Sequence, residues 1–150
     1  MLEMANQLSE DEEYSHALKF YKSILQIEPT NFGVIIDYGV TLQNLDLYHQ
    51  ALEVYDRALN LQPKNTSALI NKGSVLHTLE KYTDAITCYD MALQINRDNP
   101  VALVYKGLCI AEIGNIQLAI KYFKKAISID NECELSKVSI DTAKCIMRSK

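Results

Sequence analysis

The sequence predicts an all-α protein made of about four helix hairpins and one closing helix. Three observations carry that prediction. One pattern returns every 34 residues along a chain of 150. Each returning unit holds two stretches whose apolar residues keep helical spacing. Only five glycines and three prolines interrupt the chain, too few for a loop-rich or all-β protein.

The pattern is one of slots. Gly39, Gly73 and Gly107 stand 34 residues apart, and Ala5 holds the matching place at the start. Twelve residues after each comes an alanine: Ala17, Ala51, Ala85 and Ala119. An aromatic follows four further on, as Tyr21, Tyr55, Tyr89 and Phe123. Next come Ala58, Ala92 and Ala126, with Ile24 as the odd member, and then Leu25, Leu59, Leu93 and Ile127.

The first unit covers residues 1–31. Its first helix is short, about Leu2 to Leu8, and its second begins at "SEDEEY". There Ser9 and Glu12 have capping-box spacing, and Asp11, Glu12 and Glu13 face the helix macrodipole favourably. An acidic docking tail is the other reading of that run. The second unit is 32–65, the third 66–99 and the fourth 100–133. In the third, "NTSALINKGSVLHTLEK" carries Leu69, Val75, Leu76 and Leu79, and "YTDAITCYDMALQI" puts Tyr82, Ala85, Ile86, Tyr89, Ala92 and Leu93 on one stripe. Breakers separate the units at "EPTN", "QPKN", "RDNP" and "DNE", and the inner turns fall near Asp46, Glu80 to Lys81 and Gly114 to Asn115. Residues 134–150 form a last helix whose Leu135, Val138, Ala143, Ile146 and Met147 are expected to pack on the fourth unit, with the charges in water.

A glycine inside a helix costs roughly 1 kcal/mol against alanine, so packing must offset it. Small residues at Gly73 and Ala85 are expected to let the two helices of a hairpin approach closely, with Tyr89 filling the space toward the neighbouring unit. Lys72 and Lys106 are expected to lay their stems along the seam and place the ammonium in water.

With these slots in register, the chain from residue 1 to about 133 resembles the tetratricopeptide repeat. "NKGSVLHTLEKYTDAITCYDMALQIN" is similar to the family pattern in all but its final proline. Two departures stand out: Ile35, Leu69 and Leu103 replace an early bulky aromatic, and the unit-ending proline survives only as Pro29 and Pro63. The resemblance implies a right-handed α-solenoid in which the first helices line a concave groove that binds an extended peptide or a single helix of another protein.

Helix geometry and that resemblance together nominate the groove residues. They are Asn6 in the first unit, then Ile36, Asp37, Val40, Gln43 and Asn44 in the second. The third supplies Ile70, Asn71, Ser74 and His77, with Ser67 and Thr78 beside them. The fourth supplies Val101, Val104, Tyr105 and Leu108, with Glu112. Ile70 and Val104 would be exposed without a partner. The Asn71 amide can pair with a ligand backbone or bond within its own repeat. Tyr105 can stack on a ligand or cover the core edge, whereas His77 reads as a solvated polar residue. Some relatives hold a C-terminal carboxylate with cations on successive first helices. The two placements of that clamp fall on Leu2, Asn6, Asp37, Ser67 and Asn71, or on Ile36, Val40, Asn71, Val101 and Tyr105, and neither has a cation. A heat-shock chaperone tail is therefore a poor ligand.

A net charge of −4 and a pI near 5.3 argue against nucleic acid, whose phosphates need clustered Lys and Arg. No apolar run reaches membrane-spanning length, and "MLEMANQLSEDEE" is no secretory signal. Cys88, Cys109, Cys133 and Cys145 lack C-x-x-C spacing and read mostly as small buried hydrophobes in a cytoplasmic protein. No nucleophile, phosphate-loop or metal motif occurs, so no catalytic residue, metal or cofactor is expected. Residues 1–65 hold 4 basic and 10 acidic side chains, a balance of −6, against 11 and 9, or +2, over the rest. Those are either scattered solvated faces or the ends of a head-to-tail homo-oligomer, the alternative to a scaffold or adaptor for another protein. The short first unit also fits a piece of a longer protein.

Overall fold

A computed structural model describes residues 1–10 and 13–149, leaving aside the side chains of Ser9 and Glu10. Among the described residues there are helices and turns but no strand. The helices are α1 (Leu2–Glu10), α2 (Tyr14–Ile27), α3 (Phe32–Asn44), α4 (Tyr48–Leu61), α5 (Thr66–Thr78), α6 (Tyr82–Ile95), α7 (Pro100–Glu112), α8 (Ile116–Ile129) and α9 (Glu134–Arg148). This is the all-α series of hairpins with a C-terminal helix that the spacing predicts. Two compact units, Met1–Val75 and Leu76–Lys150, divide the chain within α5.

Local chemistry starts and stops these helices. Asn31, Asn65 and Asn99 precede α3, α5 and α7, and each Oδ1 accepts from the N–H three residues on, at 3.2, 3.0 and 3.0 Å. Asparagine is among the best N-caps because it satisfies an otherwise orphaned backbone donor. The next place in that series is Cys133, which opens α9 without capping its backbone; its thiol donates to Ser136 Oγ instead.

The inner turns repeat just as regularly. Asp46, Glu80 and Gly114 have positive φ, at 59°, 59° and 104°. Beyond them the N–H groups of Leu47, Lys81 and Asn115 reach back to the carbonyls of Leu42, Leu76 and Ile110. Such a left-handed residue lets the chain reverse while the last carbonyls stay paired. In the first hairpin, Glu13 N–H makes the same bond to Leu8. There α1 runs on through Ser9 and Glu10 and Glu13 precedes α2, so Ser9 does not open the second helix. The capping-box pairing of Ser9 with Glu12 lies outside the described residues.

In the first unit the core gathers Tyr21, Leu25, Val34 and Ile35 around Ala5, Ala17 and Ala58. In the second it gathers Leu103, Val104, Ile110, Phe123 and Ile140 around Ala119 and Ala126. The recurrent glycine answers to the aromatic slot. A Cβ on Gly39 would stand 2.6 Å from the Tyr55 ring, and one on Gly107 would stand 2.5 Å from Phe123. At these two positions the room is taken by the aromatic ring of the same hairpin's second helix. Tyr89 does reach the next hairpin: its ring stacks on Tyr105 at 5.9 Å, the planes 16° apart.

Three further expectations are corrected. Lys72 and Lys106 do not leave their ammonium groups to water; they pair with Asp56 at 2.6 Å and Asp90 at 2.5 Å. Lys106 also lies 4.6 Å over the Tyr122 ring. Burial works against its charge, but Asp90 and Tyr122 outweigh that and hold its pKa above the usual lysine value. The helix α9 buries Ser136, Ser139, Ile140 and Ala143. Small side chains let it lie close, and this rotation leaves Leu135, Val138, Ile146 and Met147 exposed. Among the cysteines, Cys88 and Cys109 are buried, Cys133 is half-buried and Cys145 is exposed, because α9 is covered on one side only.

Candidate functional site

In the first unit, the nominated side chains lie on α1, α3 and α5. Their spacing of three, four and seven residues keeps them on one face of each helix. Asn6 accepts a bond from the Tyr21 hydroxyl at 2.9 Å, so its amide is partly engaged at home. Ile36 is half-buried against the core, Asn44 is exposed, and Val40 is 38% exposed. Gln43 accepts from the Tyr55 hydroxyl and donates to Ser74 Oγ, both at 3.3 Å. The bond to Ser74 joins α3 to α5, and the bond from Tyr55 joins α3 to α4.

Ile70 and Asn71 are half-buried on α5. The Asn71 amide makes no hydrogen bond to a described residue, so of its two readings the local bond within the repeat is absent. Burial raises the Asp37 carboxyl above its usual pKa. No lysine or arginine is among the nominated residues of this face.

In the second unit, His77 lies edge-on to Tyr82 at 5.6 Å. Burial lowers its pKa, with Glu112 pulling the other way, so the imidazole brings no cation at neutral pH. Val101 is exposed, whereas Tyr105 and Leu108 are half-buried. Val104 is 1% exposed and belongs to the core with Leu103 and Phe123. It leaves the set of ligand-facing residues, because packing against α8 and α9 encloses it. Tyr105 covers the core edge through its stack on Tyr89. The hydroxyl of Tyr89 is buried without a hydrogen-bond partner among the described residues, unlike those of Tyr21 and Tyr55. Burial, with Cys109 next to it, raises its pKa.

One feature escaped the sequence reading. Leu108, Ala111 and Glu112 of α7, Ile116 of α8, and Val138 and Ile146 of α9 line a cavity of about 230 Å³. Leu135, Val138, Thr142 and Ile146 do form a helical stripe, but the stripe next to it, Ser136, Ser139, Ile140 and Ala143, is the one that packs. Among the described residues no cluster of His, Cys, Asp and Glu could hold a metal ion, and no helix is long and apolar enough to cross a membrane.

Repeated antiparallel hairpins, a glycine under the ring at Tyr55 and again at Phe123, and first helices presenting mixed apolar and amide faces define a helical-repeat protein. Models of the tetratricopeptide repeat match residues 66–99 and residues 34–65 and 105–133. The chain belongs to the tetratricopeptide repeat family. Solved structures share its fold at low identity. MamA is 23% identical with a TM-score of 0.81, over 93% of this chain and 81% of MamA. YrrB, a TPR protein with an unusual peptide-binding site, is 21% identical with a TM-score of 0.74, over 99% of this chain and 77% of its own. The first TPR of Spaghetti (RPAP3), bound to the HSP90 peptide SRMEEVD, is 16% identical with a TM-score of 0.73, over 78% and 93%. No curated protein matches the chain by sequence.

Proposed function

We propose that the protein is a non-enzymatic scaffold or adaptor that holds a peptide or helix of another protein on the faces of its first helices. The fold suits protein–protein interaction. The observation that carries the reading is the half-buried Asn71 amide, unbonded within the described structure and on the same helix as half-buried Ile70. An amide offers a donor and an acceptor at once, which suits a peptide backbone, and exposed Val40 adds apolar surface on α3. SRMEEVD, the peptide held by the Spaghetti domain, is acidic. The nominated face here carries Asp37 and no Lys or Arg, so we assign it a different ligand. The four cysteines are free, which suits the reducing cytoplasm where we place the protein.

Affinity capture from the source lysate tests this reading. A partner held by the wild type and lost by a folded Val40→Glu, Asn71→Ala variant supports it. A partner held equally by both overturns it.

A second reading rests on a separate observation. Exposed Leu2 and Met4 lie on α1, with exposed Met1 just before it, in the acidic part of the sequence, and exposed Leu135 and Met147 lie on α9 in the basic part. Copies that dock α9 of one on α1 of the next would cover both. Sedimentation at low and high salt decides it: association that salt dissolves supports the electrostatic contact, and a monomer at every salt concentration removes it.

A further inference from the structure

We propose that the groove between α7 and α9 binds a partner segment that presents aliphatic side chains beside a lysine or arginine. This inference rests on the scaffold reading and assigns the ligand chemistry of one part of the surface. Leu108, Ala111 and Ile116 supply one side of the groove, and Val138 and Ile146 the other. At 59% exposed, Val138 is more open to water than the other apolar side chains of the stripe, Leu135 and Ile146.

Size and charge select the occupant. A volume of about 230 Å³ lies below the range that encloses a cofactor-sized molecule, so it fits side-chain anchors of a peptide or helix. Among the described residues, Glu112 is the only charged one lining it. That carboxylate is exposed and makes no ion pair among the described residues. The nearby His77 is held toward its neutral form by burial, so it does not supply the missing cation. An acidic segment would meet repulsion there, whereas a basic residue next to aliphatic anchors completes the site.

The test uses the full chain and a fluorescent amphipathic peptide with leucines at helical spacing and one lysine, alongside twins carrying glutamine or glutamate in its place. Fluorescence polarisation at low salt should rank them lysine, glutamine, glutamate, with about a tenfold span from first to last. Glu112→Gln should remove most of that span, and Val138→Ser should weaken all three. Both positions are exposed, so both variants fold; circular dichroism checks this. Equal binding of the three peptides, or a preference that survives Glu112→Gln, overturns the proposal. Binding lost in Val40→Glu, Asn71→Ala but unchanged in Val138→Ser also overturns it, while leaving the scaffold reading intact. Self-association that Val138→Asp abolishes, with no peptide bound, makes a second copy the occupant and overturns it too.

Discussion

The Tyr55 ring occupies the place where a side chain on Gly39 would stand, with Cε1 only 2.6 Å from a Cβ built there. The same relation joins Gly107 to Phe123 at 2.5 Å. Real Cβ atoms do not approach a ring so closely, and both rings are buried. Gly107→Ala should therefore destabilise by about 1–3 kcal/mol, although alanine is the better helix former by roughly 1 kcal/mol. Thermal unfolding reads this directly. Phe123→Leu in the same background should recover part of the loss, and a stabilised Gly107→Ala would contradict the packing account.

Glu80 holds φ at 59° where the equivalent turn uses Gly114. A left-handed conformation costs a side chain with a Cβ about 1 kcal/mol, and glycine little. Glu80→Gly should raise stability by about 0.5–1 kcal/mol. Asp46→Gly should gain less, since aspartate tolerates that region better. Denaturant midpoints of the two variants check the ranking.

Cys133 stands where Asn31, Asn65 and Asn99 cap the earlier first helices. Cys133→Asn should add a backbone bond at the start of α9 and stabilise by about 1 kcal/mol. Hydrogen exchange in the first turn of α9 should slow with it. Unchanged exchange there would show that the asparagine does not cap.

Asp37 gives a pH dependence with a definite sign. Burial raises its folded pKa above the ordinary aspartate value. The native state thus favours the protonated carboxyl, and that contribution is lost as pH rises through the folded pKa. Asp37→Asn cannot ionise, so it should be more stable than wild type near neutral pH. The difference should shrink as pH falls through the carboxylate range. A gap that stays constant with pH would assign the effect to something other than ionisation.

Thiol labelling should separate the cysteines by burial. Cys145 is exposed on α9, whereas Cys109 is buried and its pKa is pushed up to about 12 by burial, with Glu112 adding to it. A thiol reagent at mildly alkaline pH should modify Cys145 in the native protein and Cys109 only on unfolding. Fast native labelling of Cys109 would mean that α7 opens far more readily than its packing implies.

The hairpins, their turns and the small and aromatic slots were legible in the sequence because each depends on neighbours within about one repeat. Gly39 and Tyr55 lie 16 residues apart, close enough for one unit of the pattern to contain both. The asparagine caps follow the same logic, since Asn31, Asn65 and Asn99 share the 34-residue period. The candidate site was less legible. Val40, Asn71 and Val101 could be placed on helix faces, but Val104 on the same pattern is enclosed.

The repeating helix pair follows from the amino-acid order alone, because helical period and chain reversal are local properties. Tertiary packing decided the rest. It paired Lys72 with Asp56 and Lys106 with Asp90 across successive repeats. It also turned the Ser136, Ser139, Ile140 and Ala143 face of α9 inward and left Val138 and Ile146 on the groove. A helix with two candidate stripes has no local reason to choose between them. The choice falls to the surface it docks on, where small side chains permit the closer approach and the larger burial.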